Sequence, residues 1–448
     1  MTANRKPRSL PNEQKLRLWG VGWALALAFA GAVLAAGGTL YGLVVLLDFQ
    51  KIDTSAKLDA KTLFDLVKLS FGVVAGAGAL VALVVAYRRQ RVDETGAHRE
   101  ATRLHTERFS QAVDKLGSDS PAVRLGGVHA LAGLADDAPD DSLRQTCIDV
   151  LCAYLQLPFT PDPGTDPAHQ EEHHRYLAFR KVRHTILRLI GDHYRRPKGT
   201  HRSWQGCDLD LTGVTIDGNI DFGGASFSGG TVSFGGATFS GGTVSFGGAT
   251  FSGSTVSFER ATFSGSTMSF GGATFSGSTV SFGGATFSGS TMYFDHATFS
   301  DGTMYFGGAS FSGGTVSFDH ATFSGSTVSF ERATFSSSTM RFQFAEFSGG
   351  DVSFTVAEFS GGVVSFQGST FSGGEVSFVR AEFSGSDVSF YFATFSGGVV
   401  SFQVSTFSGS TVSFDRATGP APQGLLAAVG TPPRAGVTLP SAWLLSAP

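Results

Sequence analysis

The feature that most constrains this chain is a phenylalanine spacing of seven and five residues that repeats without interruption. The spacing runs from Phe222 to Phe414, an interval of 192 residues, which is sixteen times twelve. Twelve-residue words such as ATFSGSTVSFER, at Ala249–Arg260, recur with little change. A fixed period with no insertion or deletion is typical of a solenoid, in which each coil stacks on the one before it.

Within each twelve-residue unit, two short words alternate apolar and polar residues as strands do. Ala249 and Phe251 point to one side and Thr250 to the other, which is the period of two of a β-strand. Gly and Ser between the words suit tight corners. Strands this short need parallel pairing with the next coil, so the phenylalanines are predicted to form the core. The first of them are Phe227, Phe234, Phe239, Phe246, Phe251 and Phe258.

A large apolar residue with a small one two positions earlier, as in Phe227 and Ala225, resembles the pentapeptide-repeat family in a phenylalanine-rich variant. The resemblance covers roughly residues 205–416 and implies a right-handed parallel β-solenoid of a bacterial, membrane-anchored type. Pure five-residue steps would give square coils, whereas this chain alternates five with seven. Two geometries fit: a four-sided coil of 24 residues in about eight layers, or a flat two-sided coil of 12 in about sixteen. The resemblance favours four sides.

The N-terminal part of the chain contains two apolar runs. Residues 18–47 hold no charged residue, and residues 67–87 are nearly free of charge. A run of about 20 apolar residues is enough to cross a bilayer as a helix. Basic residues precede the first run and follow the second, at Arg88, Arg89 and Arg91. This distribution predicts a two-pass hairpin in the cell membrane with both termini cytoplasmic.

Small residues four apart in these runs indicate close helix packing in lipid. The pairs are Gly38 with Gly42 and Gly72 with Gly76. They would join the two helices of one chain, or helices of neighbouring chains in a homo-oligomer.

The region after the second run is predicted to be helical. Apolar residues recur at helical spacing in three segments, at 120–137, 143–155 and 171–196. The third segment is rich in Arg and Lys, which we interpret as a solvated face or a lipid contact. The complete predicted organisation is a basic cytoplasmic tail 1–17, transmembrane helices 18–47 and 67–87 around an outer loop 48–66, a cytoplasmic helical module 88–203, the solenoid 204–417 and a Pro/Gly/Ala-rich tail or cap 418–448.

No set of residues in the sequence has the pattern of an active site, a metal site or a cofactor site. The glycine-rich words lack the GxxxxGK[ST] signature of a phosphate loop, and no nucleic acid is expected as a partner. We therefore interpret the chain as a non-enzymatic scaffold for a cytoplasmic protein. The repeat becomes bulkier and more acidic after residue 340, which marks a possible partner surface. Its residues are Phe344, Glu346, Asp351, Glu358, Glu375, Glu382 and Phe392.

Two other classes of function remain open. Outward rows of Thr and Ser fit an extracellular adhesin or an ice-binding array, which requires the solenoid to lie outside the cell. A DNA mimic that protects a topoisomerase, known from the family that the repeat resembles, needs dense acidic residues. The repeat region carries a net charge of about eleven negative units, but five basic residues interrupt the acids.

Overall fold

The computed structural model describes residues 60–430 and 432–444, together with 30, 31, 33, 34, 37, 38 and 41; for some residues between 62 and 74 it describes the backbone alone. These residues fall into two compact units that divide between Thr102 and Arg103. The helices are α1 (Ala60–Leu116), α2 (Pro121–Asp136), α3 (Asp141–Gln156), a 3₁₀ turn (Pro167–His169), α4 (Gln170–Tyr194), α5 (Leu425–Val429) and α6 (Ser441–Leu444).

The predicted membrane hairpin falls mostly on residues that lie outside the described ones. Within 18–47 only seven positions are described, and Gly42 is not one of them. The second apolar run lies in α1. A Cβ placed at Gly38, Gly72 or Gly76 would meet no described atom within 4 Å. Within the described part of the chain, no helix has an apolar stretch long enough to span a bilayer.

Helices α2, α3 and α4 form a small module, which confirms the predicted helical region. Asp140 caps α3, because its carboxylate accepts a hydrogen bond of 2.8 Å from the backbone N–H of Leu143. The helices bury apolar side chains between them. Those with zero exposure include Val128, Leu131, Ile148, Leu151, Val182, Ile186 and Ile190.

The repeat region is a parallel β-solenoid, as predicted. Its strands are two or three residues long, except for four strands of eight residues. They are Leu209–Asp210, Thr215–Asp217, Ile220–Asp221, Ser226–Ser228, Thr231–Ser233, Thr238–Ser240, Thr243–Ser245, Thr250–Ser252, Thr255–Ser257, Thr262–Ser264, Thr267–Ser269, Thr274–Ser276, Thr279–Ser281, Thr286–Ser288, Thr291–Tyr293, Thr298–Ser300, Thr303–Tyr305, Ser310–Ser312, Thr315–Ser317, Thr322–Phe323, Thr327–Ser329, Thr334–Arg341, Glu346–Ser353, Glu358–Ser365, Thr370–Ser377, Glu382–Ser384, Asp387–Ser389, Thr394–Phe395, Val399–Ser401, Thr406–Ser408, Thr411–Ser413 and Val437–Thr438.

The strand register decides between the two coil geometries. Phe263 pairs with Phe239 on one side and Phe287 on the other, so each turn takes 24 residues. Each turn contains four strand segments, and in the eight-residue strands two segments of a turn run together. The 24-residue coil is therefore the correct alternative and the 12-residue coil is wrong. We call each turn a rung and each set of equivalent positions in successive rungs a column.

Four columns of phenylalanine fill the solenoid. Rings in one column stack face to face: Phe234 lies 4.9 Å from Phe258 between ring centroids, with an interplanar angle of 2°. Rings in neighbouring columns meet at a tilt, as for Phe234 and Phe239 at 5.9 Å and 53°. Ala249 and Val256 occupy further inward columns and are 0% and 1% exposed. Each rung thus contributes the same interdigitated layer, with a layer spacing close to that of paired strands.

The helical module covers the first rung by hydrogen bonding to its free backbone carbonyls. These carbonyls have no preceding strand to pair with, so side chains of the module donate to them instead. The pairs are Gln145 to Asp208 at 2.7 Å, Gln156 to Asp210 at 3.0 Å, Arg183 to Thr215 at 3.0 Å, Arg180 to Asp217 at 3.1 Å, Arg195 to Asp221 at 2.8 Å and Lys198 to Ser228 at 3.2 Å. Three of these donors, Arg180, Arg183 and Arg195, belong to the basic segment interpreted as a solvated or lipid-facing surface, and they cap the solenoid instead.

The side-chain carboxylate of Asp217 also joins the helical module to the first rung. It accepts hydrogen bonds from Tyr176, from Arg180 at 2.9 Å and from His184 at 3.3 Å. Burial alone raises the pKa of Asp217, but these hydrogen bonds and the charge of Arg180 outweigh it, so the pKa lies well below its ordinary value.

The C-terminal segment covers the last rung. Val437 pairs in parallel with Val412, and the backbone N–H of Phe402 donates to the carbonyl of Gln423 at 2.7 Å. Trp443 is 4% exposed and packs its ring against Phe414 at 5.4 Å between centroids. Its indole N–H donates to the carbonyl of Gly419 at 2.8 Å. Two leucines of the predicted tail or cap add to this cover: Leu425 is fully buried and Leu426 half-buried.

Candidate interaction surface

One outer corner of the solenoid carries a column of large side chains. The register places each of these residues one rung above the next. The backbone N–H of Phe344, for example, donates to the carbonyl of Gln367, the neighbour of Gly368, at 2.9 Å. We call this column the aromatic corner. Its residues are His296, His320, Phe344, Gly368, Phe392 and Arg416.

The side chains of the aromatic corner stack along the outside of the solenoid. The rings of His296 and His320 lie 4.9 Å apart at 6°, and those of His320 and Phe344 lie 5.3 Å apart at 13°. The guanidinium of Arg416 lies over the ring of Phe392 at 5.2 Å. Phe344 is 53% exposed and Phe392 49% exposed. The corner therefore presents a strip of flat, half-exposed rings to solvent.

The backbone at this corner is left-handed, so glycine is the residue that fits it without strain. Phe344 and Phe392 have φ of 56° and 57°, in a region that costs non-glycine residues about 1–2 kcal/mol. Gly368 has the same conformation, with φ of 67°. A Cβ there would lie 2.6 Å from the ring of Phe344, which extends across the gap.

A second corner lies twelve residues, or half a turn, away from the aromatic corner and carries different side chains. It consists of Arg260, Gly284, Gly308, Arg332, Val356, Arg380 and Val404. Val404 is 76% exposed. This corner carries guanidinium groups and aliphatic side chains where the first carries rings.

The acidic residues predicted for a partner surface do not share one face. Glu358 pairs in register with Glu382, and Asp351 pairs with Glu375, so two columns each hold two carboxylates in adjacent rungs. Glu346 lies in a third column, between Thr322 and Thr370. All five are exposed. Like charges one rung apart repel each other, which favours a positively charged group beside them.

Two carboxylates at the base of the aromatic corner have structural roles. Asp319 is 8% exposed, pairs with Arg341 and accepts a hydrogen bond of 2.8 Å from the backbone N–H of Gln343. Asp295 accepts one of 2.5 Å from the hydroxyl of Ser317. These bonds hold the wall beneath the corner and leave the rings outside as its accessible part.

Sequence reasoning identified Phe344 and Phe392 but missed His296, His320 and Arg416. The signal was present, because the five residues are separated by 24 or 48 positions. It became visible only once the turn length was known. Within the described residues, no group of three or more His, Cys, Asp or Glu could hold a metal ion.

A family model described as pentapeptide repeats (9 copies) matches residues 211–256 and 246–293. No curated protein matches the chain. The matched segment ends before His296, so the aromatic corner lies in the rungs that follow it.

Proposed function

Because residues 211–293 belong to the pentapeptide-repeat family, we propose that this chain is a non-enzymatic scaffold whose solenoid holds the aromatic corner rigid for a protein partner. The observation that carries the proposal is the strip of half-exposed rings on a wall fixed by ring stacking below it. Surfaces that expose large apolar side chains on a rigid support are typical of protein-binding sites.

The chemistry of the partner follows from the residues around the strip. Phe344 and Phe392 offer flat apolar area at low entropic cost, since an aromatic side chain has only two rotatable bonds. The acidic columns lie on the walls of the same rungs. A partner surface with apolar groups flanked by Lys or Arg complements both features.

Replacing both phenylalanines by glycine tests the role of the aromatic corner. We expect the double variant Phe344→Gly, Phe392→Gly to fold at least as well as the parent, because glycine adopts the left-handed backbone without strain and already occupies position 368. It should lose the partner that the parent captures from a lysate of the source cells. The measurement is quantitative mass spectrometry of captured proteins, with circular dichroism to confirm the fold.

The matched control is Arg260→Gly, Val404→Gly, which makes the same backbone change at the second corner. It should retain the partner. If both double variants capture the same proteins as the parent, the aromatic corner is not the binding surface.

We also propose that the scaffold is anchored in the cell membrane with the solenoid in the cytoplasm. The apolar runs at 18–47 and 67–87 and the basic residues beside them support this. Exposed apolar side chains in the same part of α1, such as Leu83 at 70% and Val85 at 52%, also support it.

Labelling of an introduced cysteine tests this location. Val404→Cys places a thiol on the exposed second corner, whereas the native Cys147 and Cys152 are buried. We expect a membrane-impermeant maleimide to label the variant, beyond the parent, only after the cells are lysed. Equal labelling in intact cells would place the solenoid outside and favour the adhesin or ice-binding class.

A further inference from the structure

The helical module contains a cavity of about 490 Å³ between α2, the end of α3, α4 and the segment that joins α3 to α4. Its volume is in the range of small-molecule sites. We call it the arginine pocket. The residues that define it are Arg124, Phe159, Arg175, Tyr176, Phe179 and Arg183.

Arg183 is the most deeply buried charge in the arginine pocket. Its residue exposure is 5%, and its guanidinium lies over the ring of Phe159 at 4.6 Å. One N–H donates to the carbonyl of Thr215 at 3.0 Å. Among the described residues, no carboxylate lies within ion-pairing distance of it. Burial lowers the pKa of Arg183, which is the expected effect of removing a cation from water without a counter-ion.

The negative charge of Asp217 acts on Arg183, but the carboxylate of Asp217 is hydrogen-bonded to other side chains. Its two oxygens accept from Tyr176, Arg180 and His184. It therefore does not supply the direct partner that a buried guanidinium requires.

A second guanidinium faces the same cavity. Arg124 donates to the hydroxyl of Tyr154 at 3.0 Å and to the carbonyl of Ser118, and it lies over the ring of Phe179 at 4.6 Å. It too has no ion pair with a described carboxylate. Arg175 is exposed at the rim.

The lining contains only one carboxylate, that of Glu172. It accepts from the His169 ring at 3.1 Å. The arginine pocket therefore combines three guanidinium groups with one acid, and two of the three lie against aromatic rings.

This arrangement is suited to an anion with an apolar body. A buried charge is costly unless it is paired, and guanidinium N–H groups match the oxygens of carboxylates and phosphates. Leu157, Pro158 and Pro161 add apolar lining next to the aromatic rings. We propose that the arginine pocket binds a small organic oxyanion, a carboxylate or a phosphate ester with an aromatic or branched aliphatic group.

The position of Arg183 connects such a ligand to the solenoid. The same guanidinium that would meet the anion also caps the first rung through Thr215. Binding would therefore reinforce the contact between the helical module and the solenoid, because it supplies the missing counter-ion at the contact.

Isothermal titration calorimetry on the full chain tests the proposal. The probes are phenylacetate, phenyl phosphate and the neutral benzyl alcohol. We expect saturable binding of at least one anion, weakened by added salt, and no binding of benzyl alcohol. Which anion binds more tightly identifies the head group. Failure of both anions, or equal binding of benzyl alcohol, would overturn the proposal.

Variants locate the site. Arg183→Gln should weaken binding of the anion at least about tenfold, since a hydrogen bond to a charged group contributes about 1.5–3 kcal/mol. Arg188→Gln is the matched control on the same helix; Arg188 is exposed, pairs with Asp192 and lies outside the arginine pocket, so affinity should not change. If the Arg183→Gln variant does not fold, the affinity of the Arg124→Gln variant for the anion tests the site instead. Unchanged affinity in the folded Arg183 or Arg124 variant contradicts the assignment.

Discussion

Replacing Phe318 by alanine is expected to lower the stability of the solenoid by about 3–5 kcal/mol, the usual cost of removing a buried phenylalanine ring. Phe318 is fully buried and stacks on Phe294 at 4.7 Å and on Phe342 at 4.8 Å. Its edge contact with Phe330, at 6.1 Å between centroids, crosses the interior. Neighbouring side chains cannot move in to fill the space left by the ring, because the rungs above and below are held in register by their own strands.

Hydrogen exchange of the full chain measures this effect rung by rung. Protection should fall most in the rung of Phe318 and in the neighbouring rungs of Phe294 and Phe342, and least at the two ends, since stacked repeats interact mainly with their neighbours. Val404→Ala is the control, an aliphatic truncation at a position that is 76% exposed. Equal protection in the Phe318 variant and the parent would contradict a core built from ring columns.

Ending the chain at Thr418 is expected to double the number of chains per particle relative to the intact protein. The truncation removes Val437, the strand partner of Val412, and Gln423, which pairs with Phe402 and Val400. The last rung then exposes free N–H and C=O groups above an apolar layer, which is a template for pairing with another strand. The first rung stays covered by the helical module, so pairing through the open end alone stops at two chains.

Light scattering after size-exclusion chromatography gives the mass of both proteins. Trp443→Ala should associate partially, because the indole covers Phe414 at 5.4 Å. Leu444→Ala, which alters a neighbour that is 47% exposed, is the matched control and should keep the parent's mass. A truncated protein with the parent's number of chains per particle would show that the C-terminal segment does not protect the end. Filaments instead of pairs would show that the helical module leaves the other end open.

The fold of the repeat region could be predicted from the phenylalanine spacing because every rung repeats the same sequence of strands and corners. Alternation in A-T-F fixes a strand, and Gly or Ser fixes a corner. The turn length could not be fixed in this way. A twelve-residue period fits one or two units per turn equally well, and only the pairing of Phe263 with Phe239 and Phe287 decides it.

The caps were predictable in part. The Pro/Gly/Ala-rich tail was predicted as a possible cap, and its Trp443 is buried against the last rung. Arg180, Arg183 and Arg195 looked like an ordinary basic helix. Their hydrogen bonds go to backbone carbonyls 26 to 37 residues away. Because every residue has a backbone carbonyl, the residue types do not indicate which positions accept these bonds. The arginine pocket escaped notice for the same reason, since its residues come together only through helix packing.

The mismatch between a unit of twelve residues and a turn of twenty-four has a consequence for how such a chain can grow. Duplicating one unit would carry every later residue half-way round the axis, so Phe392 would move to the side now occupied by Val404. Duplicating two units would lengthen the stack by a single ring-to-ring step, 4.8 Å for Phe366 and Phe390, and return every side chain to its original azimuth. The solenoid is in this sense a screw thread: even-numbered duplications change only its reach, and odd-numbered ones exchange its two edges.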